Sequence, residues 1–166
     1  PFTSADKLSN DIILNELKLL SNFPILSEEV EVKDSIRKAW SKFWLVDPLD
    51  GTKDFIAKNG NFSINIALIN EGEPVLGVVF IPETNDVYYA TKNGGAYKNN
   101  TRIYNNSKRK KLIATESNFH SNKRTYNFFK KYKIKNIKKY GSSLKICKLA
   151  EGEIDIYPRF SSTKEW

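Results

Sequence analysis

The chain has 166 residues, 40% of them hydrophobic, and a formal net charge of +8 at pH 7. That length suits one ordinary domain or parts of two smaller ones, and no run of about 18 apolar residues marks a membrane span. A single cysteine, Cys147, excludes an internal disulfide, and a single histidine, His120, excludes a zinc site of clustered Cys and His. Any metal is therefore expected on oxygen ligands, which favours Mg²⁺, Mn²⁺ or Ca²⁺. No basic, apolar and small-residue succession marks a signal peptide, so the cytoplasm is the expected location. The chain starts at Pro1 and contains no methionine, from which a fragment is expected.

In chain order, residues 3–20 read as an amphipathic helix with Ala5, Leu8, Ile12, Leu17 and Leu20 on one side. Thr3 stands as its N-cap, with Asp6 three residues on. "FPILSEE" is a short apolar run ending in two acids, and residues 30–42 are polar and aperiodic, which predicts a loop or flap. Strands follow at "FWLVD", "NFSINIALIN", "VLGVVFIP", "VYYAT" and "AYKNN", separated by "EGEP", "ETND" and "KNGG". Such alternation of strand and turn predicts an antiparallel meander. After the basic "NNSKRKK", a boundary is expected near residue 110. Beyond it come a strand at "LIATES", a helix at "SNKRTYNFFKKY", a loop opening a helix at "GSSLKICKLAEG", and a closing strand at "IDIYPR". The expected organisation is an α+β part with an antiparallel sheet over 1–110 and a partial α/β part over 111–166.

The charge is uneven. Residues 108–139 hold 12 Lys and Arg against the one acid Glu116. This segment could attract a polyanion, and Tyr126, Phe128, Phe129, Tyr132 and Tyr140 would suit stacking on single strands. A solvated lysine-rich face, with the aromatics buried on a helix and strand, explains the same residues more economically, so nucleic acid is not the expected partner.

The stretch that asks for chemistry is "WLVDPLDGTKDFI". Asp47 ends an apolar strand, Pro48 fixes φ and favours a turn over a continuing strand, and Asp50 returns a second carboxylate. At about 4 Å and an effective dielectric near 20, two unit charges repel by roughly 4 kcal/mol. A cation between them is the obvious remedy. Gly51 permits close approach of a phosphate, and Thr52 can cap a short helix over "KDFIA". The alternative is an acidic strand-to-helix turn in which Asp50 merely caps. Glu28 and Glu29 are equally readable as solvated acids, and Asp6 as a helix cap.

"PFTSAD", "PILSEE", "WLVDPLDGTKDFI", "NGNFSINIALINEGEPVLGVVFIPETNDVYYA" and "GSSLKICKLAEGEIDIYPR" together resemble consecutive blocks of the inositol monophosphatase superfamily. "TKDF", where inositol monophosphatases tend to have "TTNF", makes the chain more similar to the bacterial 3′(2′),5′-bisphosphate nucleotidase branch. The resemblance implies an α/β layered sandwich and removal of the 3′-phosphate from 3′-phosphoadenosine 5′-phosphate, with inositol or sugar phosphates as the alternative. It implies two or three Mg²⁺ ions, with Mn²⁺ as a substitute. Glu28, Asp47 and the carbonyl of Leu49 would hold one ion; Asp47 and Asp50, with one further aspartate, would hold another. Thr52 and Asp6 would orient or deprotonate the attacking water, and the N–H groups of Gly51 and Thr52 would receive the phosphate. Gly141, Ser142, Lys145 and Arg159 are the places to look for substrate contacts, Lys145 being equally readable as a surface helix residue. At residues 117–120 the family often has "SRSH" and this chain reads "SNFH", which leaves a nucleotide contact at His120 open. The family's last metal-binding aspartate directly follows a tryptophan. An Asp is therefore expected next after Trp166, and the chain as given is expected to be poorly active or unstable.

Overall fold

The computed structural model describes residues 2–162. Its frame is a seven-stranded sheet in the order β1-β2-β3-β4-β5-β6-β7, built from β1 (Ile25–Ser27), β2 (Lys42–Asp50), β3 (Ser63–Asn70), β4 (Glu73–Ile81), β5 (Asp86–Thr91), β6 (Gly95–Lys98) and β7 (Thr101–Ile103). From β2 to β7 every pairing is antiparallel, the expected meander. β1 joins parallel to β2, with Ser27 opposite Val46. A second sheet pairs β8 (Ile113–Ser117) with β9 (Asn136–Tyr140) in parallel. Helices α1 (Ser4–Leu20), α2 (Asp34–Arg37), α3 (Thr52–Ile56), α4 (Lys123–Lys131) and α5 (Leu144–Ala150) complete an α/β sandwich.

Sequence and structure part in several places. β2 does not stop at Pro48 but runs to Asp50, its register with β3 shifting between Asp47 and Asp50. A proline has no N–H for the ladder, and an irregularity is where a strand tolerates one. Gly51, at φ 91°, precedes α3, and Thr52 is the helix's first residue rather than its cap. Residues 30–42 include the one-turn α2. β7 forms where a boundary loop was expected. "IDIYPR" is not a strand: its Ile156 makes an isolated bridge to Ala114, with Thr115 N–H donating to Ile156 O at 2.9 Å.

The capping box at Thr3 and Asp6 forms as expected, but the face of α1 turned inward is Asp6, Asn10, Ile13 and Leu17. Leu8, Ile12 and Leu20 are exposed. The helix buries polar groups at its start because that end backs the site described below. Its other half is apolar, where Leu17 and Ile13 pack on Trp44, Val46, Ile66, Leu68 and Leu76 across β2–β4. On the opposite face, Leu144 and Cys147 of α5 pack on Ile81 and Tyr88. A third cluster joins Ala114, Phe129 and Ile134 under α4. Of the aromatics in the basic segment, Phe129 is buried, whereas Tyr126 and Tyr132 are exposed. No helix among the described residues is long and apolar enough to cross a membrane.

Candidate active site

β2 delivers Asp47 to a buried position, 4% exposed, at the head of a cleft of about 430 Å³. The parallel pairing of β1 carries the chain on to Glu28, whose N–H donates to Val46 O at 3.0 Å, so Glu28 and Asp47 emerge side by side. Burial first, then the charges of Asp50 and Glu28, push the Asp47 carboxyl up to about 8, against a lowering contact from the Leu49 N–H at 3.2 Å. Asp50 lies half-buried, its Oδ2 accepting from Ser143 Oγ at 3.0 Å and from Asn65 Nδ2 at 3.5 Å.

Behind these groups stands Asp6, 1% exposed. Its Oδ2 accepts from the Thr3 N–H and hydroxyl at 2.8 and 2.5 Å, and its Oδ1 accepts from the Thr52 hydroxyl at 3.4 Å. Both readings of Asp6 therefore hold at once: one oxygen caps the helix and the other faces Thr52. The Thr52 hydroxyl also lies 3.5 Å from the Leu49 carbonyl.

The other wall comes from the loop before α5 and from the segment after Ile156. Ser142 sits at φ 45°, in the left-handed region that non-glycine residues seldom occupy. Its Cβ would stand 3.2 Å from a Cβ built on Gly51, so the two loops close on each other only with glycine at 51. Lys145 is no surface residue. It is 5% exposed, its ammonium donating to Ser142 O at 2.6 Å and Tyr140 O at 3.4 Å, and burial lowers it to about 8. Arg159 is exposed and donates to Tyr157 Oη at 3.2 Å and Ser162 O at 3.3 Å.

Of the residues singled out from the sequence, Glu28, Asp47, Asp50, Gly51, Thr52, Ser142, Lys145 and Arg159 line this one cleft. Asp6, Leu49 and Gly141 stand behind it, and Trp166 lies outside the described residues. Sequence reasoning passed over Lys53, Asp54 and Ser143 as lining residues. The first two were quoted only as letters of "TKDF", and nothing local to Ser143 announces a partner 93 residues away.

Among the described residues, no three His, Cys, Asp or Glu side chains converge as a closed metal cage. The carboxylates of Glu28, Asp47 and Asp50 and the Leu49 carbonyl are nonetheless hard oxygen donors. Mg²⁺ is commonly bound through one or two carboxylates with water completing its shell. The repulsion that lifts Asp47 is what a cation relieves, and the residues fit one.

The sequence profile of the inositol monophosphatase family matches residues 1–166. The chain belongs to that family. Across its whole length it is 42% identical to the 3′(2′),5′-bisphosphate nucleotidase CysQ of Buchnera aphidicola and 40% identical to that of Salmonella typhimurium. It spans 64% of the first relative and 69% of the second. The crystal structure of CysQ from Bacteroides thetaiotaomicron superposes with a TM-score of 0.87 at 36% identity, over 97% of this chain and 68% of that one. The family's phosphatases are generally metal-dependent.

Proposed function

We propose that this protein is a Mg²⁺-dependent phosphomonoester hydrolase that removes the 3′-phosphate of 3′-phosphoadenosine 5′-phosphate, giving AMP and phosphate. The observation that carries the reading is the buried Asp47, crowded by Asp50 and Glu28 at the head of a cleft whose other wall is cationic. The nucleotidase names of the relatives direct it to this substrate.

In this reading Glu28, Asp47, Asp50 and the Leu49 carbonyl hold two or three divalent ions, with Mn²⁺ as a substitute. Bound metal would lower the pKa of a water nucleophile and neutralise charge on the transferring phosphate and leaving oxygen. Asp6 Oδ1 holds the Thr52 hydroxyl, so the pair orients the attacking water and takes up its proton, Asp6 being the final acceptor. The N–H groups of Gly51 and Thr52 receive a phosphate oxygen. Gly141 lets its loop close behind the cleft, and Ser142, Lys145 and Arg159 meet the rest of the substrate, the guanidinium suiting a second anionic group.

An inositol or sugar phosphate is the second reading, favoured by membership of the family itself. The test is Mg²⁺-dependent phosphate release by the protein expressed from its whole reading frame, with 3′-phosphoadenosine 5′-phosphate compared to inositol 1-phosphate. Preference for the nucleotide, lost by on the order of 100-fold or more in Asp47→Asn, is expected. Preference for inositol phosphate would keep the metal site and overturn the substrate.

A further inference from the structure

We propose that Lys53 and His120 form a second anion subsite in the cleft, receiving the phosphate that is not cleaved, and that Asp54 is the positioning residue that assembles it. This rests on the nucleotidase reading and deepens it by naming what separates a bisphosphate from a monophosphate.

Charge in the cleft is divided. Glu28, Asp47 and Asp50 line one side, while Lys53, His120, Lys145 and Arg159 line the other. Elsewhere in the chain, lysines at the interior pair with carboxylates: Lys98 with Asp86, Lys138 with Glu153, Lys148 with Glu151. Here Lys145 and Arg159 bond to carbonyl and hydroxyl oxygens alone. Lys53 has no carboxylate partner among the described residues. His120 is held below its ordinary value by burial and then by Lys53, Arg159 and Lys145, so all three cations bear on one imidazole. A wall of basic groups facing solvent without counter-charge is a place for an anion.

Asp54 explains how the wall is built. It is 4% exposed, and its Oδ1 accepts from Asn59 Nδ2 at 2.7 Å and from Asn118 Nδ2 at 2.6 Å. A Cβ placed on Gly141 would come within 2.3 Å of its Oδ2. One carboxylate thus ties the turn after α3 to the loop after β8, which carries His120, and fits against the 141–143 loop. Its neighbour in sequence, Lys53, stands in the cleft. The two residues that separate "TKDF" from "TTNF" have distinct tasks: one offers charge, and the other fixes the loop that the charge works beside.

Two measurements test this. In the first, kcat/KM is compared for 3′-phosphoadenosine 5′-phosphate and for adenosine 3′-phosphate, which lacks the second phosphate. Lys53→Ala is expected to lower the ratio about tenfold or more, through KM rather than kcat, and Lys53→Arg to restore most of it. In the second, binding of adenosine 5′-phosphate is followed by calorimetry, which needs no turnover. Lys53→Ala and Asp54→Ala are each expected to weaken it about tenfold. Asp54→Asn keeps most of the affinity, because its amide oxygen still accepts both asparagines.

An unchanged ratio with unchanged adenosine 5′-phosphate affinity in Lys53→Ala, no binding by the wild type at millimolar ligand, or equal losses for both substrates would overturn the subsite. Equal damage from Asp54→Asn and Asp54→Ala would overturn the positioning role. Should the wild type cleave inositol phosphate alone yet bind adenosine 5′-phosphate through Lys53, the nucleotidase reading fails and the subsite stands.

Discussion

Asp47 owes its chemistry to its neighbours. In a metal-free protein, three carboxylates within reach of one another are a standing cost, so Asp47→Asn should raise thermal stability in chelator, by about 1–2 kcal/mol, while abolishing activity. Differential scanning measurements with and without EDTA check it; a variant less stable than wild type under chelation would count against the arrangement. Gly141 makes the opposite kind of demand. A Cβ there would stand 2.4 Å from the Asn61 carbonyl as well as against Asp54, so Gly141→Ala should cost about 1–3 kcal/mol by denaturant titration. At this scale the sequence was informative wherever a residue type is unusual in its setting. Two aspartates around a proline could be read directly. Asp54 could not, because its partner Asn118 lies 64 residues away and an acid in the first turn of a short helix is unremarkable on its own.

Among the elements, the meander was legible because each strand alternates and each turn carries Gly, Asn or Asp. The inward face of α1 was not. Hydrophobic periodicity picks out the apolar stripe, whereas this helix turns Asp6 and Asn10 inward, Asn10 accepting from Ser27 Oγ at 2.6 Å. Tertiary bonding outweighed the periodic signal there. The consequence is measurable: Leu17→Ala, which empties a position 5% exposed against Trp44 and Val46, should cost about 2–5 kcal/mol. Leu19→Ala, at a position 81% exposed, should stay within about 0.5 kcal/mol. Paired urea titrations decide it, and similar values would mean that α1 packs differently. β7 and the lost strand at 154–159 failed for a related reason. Short edge segments are decided by which neighbour supplies a ladder, and that information is not local.

For the molecule as a whole, a polar network joins the two sheets through α5. Lys148 bridges Glu151 and Glu153 at 2.7 and 2.8 Å, Tyr88 Oη donates to Glu151 at 3.0 Å, and Tyr140 Oη and Lys138 reach Glu153 at 2.6 and 2.8 Å. Burial alone would raise Glu153, but the bonds from Lys138, Lys148 and Tyr140 prevail and hold it at about 2. Because the folded value lies below the unfolded one, the group's stabilisation is complete above about pH 4.5 and is lost as pH falls toward 2. Glu153→Gln should therefore flatten the loss of stability across that window, as followed by circular dichroism; an identical acid profile would remove Glu153 from the network's function.

The hydrogen bond from Ser143 to Asp50 carries a further consequence. It fastens the loop that opens α5 to a carboxylate on the metal side, so a cation drawn to Asp50 and a nucleotide lodged against residues 142–145 act on the same bond. The two occupants cannot then be thermodynamically independent. Whatever factor the metal adds to nucleotide affinity, the nucleotide returns to the metal, and the concentration of ion needed to saturate the protein becomes a function of how much substrate is present.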